Sequence, residues 1–168
     1  MLPVYERGDA MSFYSDVIKK DSRFVSPVRV ADTAMLLPEM RNRVQALLRE
    51  AADEGHPLIV FETFRSMARQ TALYNQGASH LKLVGVHNYG LACDLVKNAD
   101  GEPSWKGDFG FLCALAHKHG LIWGGDWGRP DIKHGFVDPV HVQMIKVPDQ
   151  NKLFSGTWYP DEAYNPYA

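Results

Sequence analysis

The hydrophobic pattern predicts one clear amphipathic helix in the first third of the chain. After Pro38, apolar residues recur at the spacing of a single helical face, and Gly55 and Pro57 end the pattern. The residues of this face are Met40, Val44, Leu47, Leu48 and Ala51. The next apolar run, from Leu58 to Phe61, is short and continuous, which indicates a buried strand.

Three further helices are predicted, although their apolar residues follow the helical spacing less regularly. Ser66 is a suitable N-cap for a helix over residues 67–76, since its hydroxyl can accept a bond from a free backbone N–H. Asp108 is the corresponding cap for a helix over residues 109–119. Residues 11–20 form a third, shorter candidate.

The remaining apolar segments are typical of short strands. They cover residues 91–96, 121–123 and 140–144, and the last of these alternates, with His141 and Gln143 on the face opposite its apolar residues. Helices and strands therefore mix without a regular alternation. This order predicts the α+β class, with a small antiparallel sheet and helices packed around it.

The C-terminal segment is rich in aromatic residues set among polar residues and prolines. These aromatics are Phe154, Trp158, Tyr159, Tyr164 and Tyr167. We expect the segment to pack as irregular structure over the core, although it could instead line a substrate cleft. At 168 residues the chain is predicted to be a single domain over residues 1–168.

The composition of the chain argues against nucleic acids and membranes as partners. Eighteen basic and twenty acidic residues give a net charge of −2, which argues against nucleic acid as a partner. The longest aliphatic run is far shorter than the roughly 20 residues that span a bilayer, so no stable membrane insertion is expected. Two cysteines are too few for a disulfide framework, and both Cys93 and Cys113 lie in apolar runs, as buried thiols do.

Histidine and carboxylate residues form two groupings that could bind a metal. His87 and Asp94 are separated by a segment in which Gly90 lets the backbone turn, so both side chains can reach one point. Asp138 precedes His141 by three residues, at the start of a predicted strand. Together His87, Asp94 and His141 are a usual catalytic zinc set, with the fourth position left for water and Asp138 left as a base.

Spacing alone does not single out this set of metal ligands. Such spacings also arise by chance, and a lone histidine is more often an ordinary surface or core residue. Asp131 and His134 repeat the spacing of Asp138 and His141, and His80 is another loop histidine. His141 is preferred because a strand can hold it rigidly.

Two other features have a functional and a structural interpretation. Arg65 follows the end of the first predicted strand, where its permanent charge could hold a substrate carbonyl and its developing oxyanion. The alternative is a structural salt bridge. His117 and His119 are two residues apart on a predicted helix, so they point to different sides and cannot bind one metal together; we expect them to be solvated partners of the helix dipole.

Four blocks of the sequence, in order, resemble a known family. They are Phe64-Arg65-Ser66 with Gln70, Tyr74 and Gly77; His87-x-x-Gly90-x-Ala92-x-Asp94; Trp123-Gly124-Gly125-Asp126-Trp127; and Asp138-x-x-His141-Val142-Gln143-Met144. The chain resembles the zinc peptidases that include the D-alanyl-D-alanine carboxypeptidases of vancomycin resistance and the L-alanyl-D-glutamate endopeptidases of phage endolysins. The resemblance covers roughly residues 58–144.

The resemblance implies a role for each matching residue. His87, Asp94 and His141 would bind a single Zn²⁺, Asp138 would be the catalytic carboxylate, and Arg65 would polarise the scissile carbonyl. Five further matching residues would bind substrate or support the site: Ser66, Gln70, Tyr74, Asp126 and Trp127. The Gly-Gly-Asp-Trp block is similar to the endolysin branch, which favours an endopeptidase over a carboxypeptidase.

Two departures from the family put the exact substrate preference in doubt. Many relatives have a serine where this chain has Gly85, and a proline where it has Val140 directly before the last histidine. Two alternatives also stay open: a D-alanyl-D-alanine carboxypeptidase, or a non-catalytic zinc-bearing binding module. A pure binding module would need neither Asp138 nor Arg65.

The resemblance also implies where the protein works. The expected substrate is a peptidoglycan stem peptide, and the expected form is a monomer. The N-terminus lacks a basic start followed by an apolar stretch, so no secretory signal peptide is predicted. As for phage endolysins, synthesis in the cytoplasm followed by release to the cell wall is expected.

Overall fold

In the part of the chain that the structure describes, the fold is built on one antiparallel sheet of five strands. The computed structural model of the chain describes residues 13–78, 85–128 and 136–168. The strands are β1 (Leu58–Glu62), β2 (Ala92–Ala99), β3 (Glu102–Ser104), β4 (Ile122–Trp123) and β5 (His141–Gln143). Their order is β1-β2-β5-β4, and β3 pairs with the far end of β2. The predicted α+β class is confirmed.

Four α-helices surround the sheet in the described ranges. They are α1 (Pro38–Asp53), α2 (Met67–Asn75), α3 (Phe111–Lys118) and α4 (Gln150–Phe154). The predicted apolar face of α1 packs into the core, where Met40, Val44, Leu47 and Ala51 are buried. Burying these side chains supplies the stability of a helix whose surface residues are mostly polar, since each large apolar side chain contributes about 1.5–3 kcal/mol.

The central strand β2 sets the register on which the functional residues depend. Asp94 pairs with His141 of β5 on one side and with Glu62 of β1 on the other. β2 runs to Ala99, beyond its predicted end at Val96, because its last residues form a hairpin with β3. The sequence interpretation missed β3. It also placed β1 in the interior, whereas residues 58–61 are half-buried because β1 is an edge of the sheet.

The start of α3 differs from the prediction. Asp108 does accept a bond from a nearby backbone N–H, that of Gly110, at 2.9 Å. This bond makes a turn ahead of the helix, which begins at Phe111 instead of at Phe109. The sequence thus identified Asp108 correctly as a hydrogen-bond acceptor, but the bond stabilises a turn and not the helix N-terminus. The buried residues of α3 are Leu112, Leu115 and Ala116.

Both ends of the described chain pack against the same core. Phe13–Ile18 is a π-helical turn inside the predicted helix over residues 11–20, of which residues 11 and 12 lie outside the described part. In the C-terminal segment, the buried Tyr159 donates its hydroxyl hydrogen to the Tyr89 carbonyl. Trp158 and Tyr164 pack against the core as well, which confirms that the aromatic segment covers it. α4 was not predicted.

Two remaining sequence expectations can be compared with the structure. Both cysteines are thiols and not part of a disulfide; Cys93 is buried as expected, whereas Cys113 is half-buried. Across residues 13–78, 85–128 and 136–168, no helix combines the length and the hydrophobicity that a membrane span requires.

Candidate active site

A cleft of about 450 Å³ opens over the sheet where β1, β2 and β5 meet. Its lining contains the predicted metal ligands His87, Asp94 and His141, together with Asp138 and Arg65. Five residues from three separate blocks of the sequence are thus brought to one place. The sheet register explains this meeting, because Asp94 and His141 are direct cross-strand partners.

The three candidate ligands each come from a different local structure. His87 lies in the 3-10 helix Val86–Tyr89, which ends at Gly90 with φ at +70°. A side chain at Gly90 would meet the Met35 carbonyl oxygen at 2.6 Å, so glycine is required there. The chain then enters β2 at Ala92, and Asp94 lies on this strand, as predicted. His87 Nε2 and His141 Nδ1 face the same Asp94 oxygen, Oδ1, at 3.3 and 3.4 Å.

The outer nitrogen of each histidine ring is fixed by a hydrogen bond. His87 Nδ1 lies 2.8 Å from the Thr63 carbonyl oxygen, which can only accept, so this nitrogen carries the hydrogen. His141 Nε2 lies 2.8 Å from Gln143 Oε1. The Gln143 amide is itself oriented, since its Nε2 donates to the Ile145 carbonyl and to the Gln150 side chain. In the neutral form of either ring, the nitrogen without a hydrogen is therefore the one that faces Asp94.

The donor set fits a zinc ion. Asp94 Oδ1 is buried and makes no hydrogen bond to any residue in the described ranges. Two ring nitrogens and one carboxylate oxygen thus direct electron pairs at a common point, and these three atoms lie within 4.8 Å of one another. Two imidazoles and a carboxylate are a usual catalytic zinc set, and the outer hydrogen bonds on both rings are typical of such centres.

The two carboxylates of the cleft have opposite electrostatic environments. Burial raises the pKa of the Asp94 carboxyl, but His87 and His141 outweigh this effect and hold that pKa well below its ordinary value. For Asp138, burial dominates and raises the pKa of its carboxyl. Asp94 is therefore suited to remain an anionic ligand, and Asp138 to exchange a proton.

Arg65 lies three residues beyond the end of β1 and is held there by several contacts. Its guanidinium donates to Glu62 Oε1 at 2.8 Å and to Gln70 Oε1 at 3.1 Å, and it lies 3.6 Å from Asp94 Oδ2. Its Nε–H is buried and has no hydrogen-bond partner among the residues described. The salt-bridge interpretation is thus correct for one part of the guanidinium, and Arg65 also lines the cleft. Asn88 also donates to the Arg65 carbonyl at 2.7 Å, which links this segment to that of His87.

Gly124 positions the backbone of Asp138. The Asp138 N–H donates to the Gly124 carbonyl at 3.1 Å, and a Cβ added at Gly124 would lie 2.2 Å from the Asp138 carbonyl oxygen. The Asp138 carbonyl in turn accepts from the His141 N–H at 3.2 Å. This close approach gives the first glycine of the Gly-Gly-Asp-Trp block a physical role that spacing alone did not indicate.

We expect Gly124→Ala to lower turnover about 100-fold, because a shift of about 1 Å in a catalytic group has this order of effect. The substitution forces the Asp138 carbonyl away and moves its side chain with it. The measurement is turnover on a defined peptide, alongside Gly110→Ala, where the nearest contact is the flexible Asp108 side chain. Equal activity of the two variants would show that the contact does not position Asp138.

The other five predicted residues divide between the cleft and its surroundings. Gln70 and Trp127 line the cleft, and the Trp127 ring lies 5.1 Å from the His141 ring. Ser66 caps α2 by accepting from the Arg69 N–H, as predicted. Tyr74 is on the exposed side of α2, and Asp126 contacts His117 and Cys113 instead of lining the cleft.

The remaining histidines lie apart from the cleft or outside the described residues. His117 and His119 do point to different partners, Asp126 and Glu50. His117 is exposed, as expected, whereas His119 is half-buried. His56 stacks on Phe111. His80, His134 and Asp131 lie outside the residues that the structure describes.

Three residues of the site were missed in the sequence. Glu62 is 2% exposed and joins Arg65 to Arg69. Thr63 orients His87 through its backbone, so its side chain carries no signal. Asn88 is buried and follows His87 directly. An amide side chain next to a candidate ligand was the one sequence feature that could have indicated its role.

Comparison with known proteins places the site in a family. The sequence profile of peptidase family M15, described as D-alanyl-D-alanine carboxypeptidase, matches residues 82–144. The Bacillus subtilis peptidoglycan L-alanyl-D-glutamate endopeptidase CwlK is 32% identical over 129 residues, which are 66% of this chain and 74% of CwlK. This chain belongs to that peptidase family. It is a peptidase, and the resemblance stated from the sequence is confirmed.

Further relatives agree with this assignment. The L-alanyl-D-glutamate peptidase of Listeria phage A118 is 30% identical over 119 residues, which are 68% of this chain but only 40% of the phage enzyme. The crystal structure of the Serratia marcescens L-Ala D-Glu endopeptidase ChiX matches with a TM-score of 0.53 at 25% identity, over 71% of this chain and 91% of ChiX.

A more distant structure shares the fold. The vancomycin-resistance D,D-pentapeptidase VanY, solved as a mutant with Zn(II), matches with a TM-score of 0.52 at 16% identity, over 71% of this chain and 78% of that one.

Proposed function

We propose that this peptidase is a zinc-dependent endopeptidase that hydrolyses the L-alanyl-D-glutamate bond of peptidoglycan stem peptides. The observation that carries the proposal is the convergence of His87 Nε2, Asp94 Oδ1 and His141 Nδ1 in a cleft that also contains Asp138 and Arg65. A binding module with a structural metal would need the three metal ligands but neither Asp138 nor Arg65.

The choice of bond rests on relatives. CwlK and the phage enzyme are both named for the L-alanyl-D-glutamate bond, and so is ChiX. The Gly-Gly-Asp-Trp block supports the same branch. We further propose that the protein acts at the cell wall, as an endolysin or a bacterial wall hydrolase. It would act as a monomer, because one chain supplies every ligand and catalytic group proposed here.

His87, Asp94 and His141 would hold the zinc ion. The chemistry that zinc supplies when bound is activation of a water molecule near neutral pH and polarisation of the scissile carbonyl. Asp138 accepts the proton that the attacking water loses, and its raised pKa then favours delivery of that proton to the leaving amine. Thr63 and Gln143 keep both histidine rings in the required tautomers.

Arg65 stabilises the oxyanion that develops from the scissile carbonyl. We expect Arg65→Ala to lower the turnover number about 10²–10³-fold, the usual cost of losing one such donor, with zinc content unchanged. The measurement is steady-state turnover together with zinc per protein. Arg69→Ala is the matched control, because it removes the other arginine bound to Glu62. An equal loss in both variants would mean that the ion-pair network, and not the Arg65 guanidinium itself, is needed.

A D-alanyl-D-alanine carboxypeptidase is the second candidate, and the description of the matching family favours it. Two synthetic peptides separate the candidates, one with an internal L-alanyl-D-glutamyl bond and an amidated C-terminus, the other ending in free D-alanyl-D-alanine. Mass spectrometry of the products is expected to show cleavage of the first peptide alone. Cleavage of the second alone would replace the endopeptidase proposal with the carboxypeptidase.

A further inference from the structure

A second group of metal-binding side chains lies outside the cleft. Cys113 and His117 occupy positions i and i+4 of α3, and Asp126 lies in the 3-10 helix Gly124–Gly128. Cys113 Sγ is 3.5 Å from Asp126 Oδ1, and His117 Nε2 is 2.7 Å from Asp126 Oδ2. One donor atom from each residue lies within 4.8 Å of the others, and none of the three is among the described residues that line the cleft.

The surroundings hold these side chains in place while leaving access from solvent. Asp126 is 6% exposed, so its carboxylate is fixed in the protein interior. The His117 side chain is 40% exposed, and one of its faces packs on the Tyr167 ring at a centroid distance of 4.7 Å. The Tyr167 hydroxyl donates to the Leu121 carbonyl at 2.6 Å, which fixes that ring in turn.

We infer that Cys113, His117 and Asp126 form a second site for a transition-metal ion of the zinc class. Residues at i and i+4 share one face of a helix, so α3 supplies two ligands side by side. A thiolate, an imidazole and a carboxylate are all zinc ligands, and three protein ligands leave one position for water. Binding releases the Cys113 thiol proton, and the His117 ring keeps its single proton on Nδ1 when Nε2 binds the metal.

This site would brace the catalytic cleft. Asp126 is followed directly by Trp127, whose ring contacts His141 and lines the cleft. A metal that joins α3 to the segment of Asp126 therefore restrains a wall of the active site. Since the metal binds the folded state, it is expected to raise the unfolding temperature without taking part in the reaction.

Cobalt(II) added to the metal-free protein tests the inference, because it reports thiolate ligands directly. The first site has no sulfur ligand, so a thiolate-to-cobalt charge-transfer band in the near ultraviolet must come from the second site. We expect the wild type to bind two cobalt ions with this band, and His87→Ala to bind one and keep the band. The isosteric Cys113→Ser is expected to bind one ion without it.

His119→Ala is the matched control, since His119 lies on the same helix but contacts Glu50. It should bind two ions with the band intact. A wild type without the charge-transfer band, or an unchanged band in Cys113→Ser, would overturn the second site. Neither result would contradict the peptidase proposal, because the loss of one bound cobalt ion in His87→Ala reports on the first site separately.

Discussion

Asp138→Asn is expected to lower the turnover number by about 10²–10⁴-fold, the contribution typical of a positioned general acid or base. Asn keeps the shape of the side chain but cannot accept the proton of the attacking water. Because Asp138 is not one of the three converging donors, zinc content should equal that of the wild type. The loss should appear in turnover far more than in substrate affinity.

The measurement pairs single-turnover kinetics on the L-alanyl-D-glutamyl peptide with zinc per protein by elemental analysis. Asp108→Asn is the control, since it makes the same chemical change at an exposed carboxylate outside the cleft. Loss of zinc in the Asp138 variant would show that this residue is a ligand and not the base.

His87→Ala is expected to remove the catalytic zinc and with it the activity. Removing an outer hydrogen bond from a zinc ligand already costs 10–100-fold in affinity or activity, so loss of the ligand itself should exceed about 100-fold. The variant should contain one zinc fewer than the wild type, and added zinc should not restore turnover. The fold should survive, because the core residues of α1 and the sheet are untouched.

His56→Ala provides the comparison for His87, as it removes an exposed imidazole that stacks on Phe111 away from the cleft. Its zinc content and turnover should match the wild type. Full zinc content in the His87 variant would contradict the ligand assignment, whatever happens to activity.

The sequence predicted best those features that depend on residues close together in the chain. The apolar face of α1, the Ser66 cap and the turn at Gly90 each arise from local chemistry, and the structure has all three. The start of α3 was wrong because the Asp108 bond to Gly110 can form a turn as well as a helix cap. A capping residue indicates where a helix or a turn can begin, and tertiary packing then determines which of the two forms.

The candidate ligands could be predicted because metal binding needs particular residue types, whereas their supports could not. His87 is oriented by a backbone carbonyl and His141 by Gln143, whose own orientation depends on Gln150 seven residues away. Glu62 acts through Arg65, and nothing in the chain between them signals that contact. Gly124 needs the approach of Asp138, which only the folded sheet brings near.

The measurement that tests the central claim most directly is mass spectrometry of the soluble products released from purified peptidoglycan. The digestion is run with the protein as prepared, after removal of metal by a chelator, and after zinc is restored. We predict new L-alanine C-termini and D-glutamate N-termini that disappear with the chelator and return with zinc. Release of the same termini by the metal-free protein, or no cleavage by the zinc-loaded protein, would contradict the account.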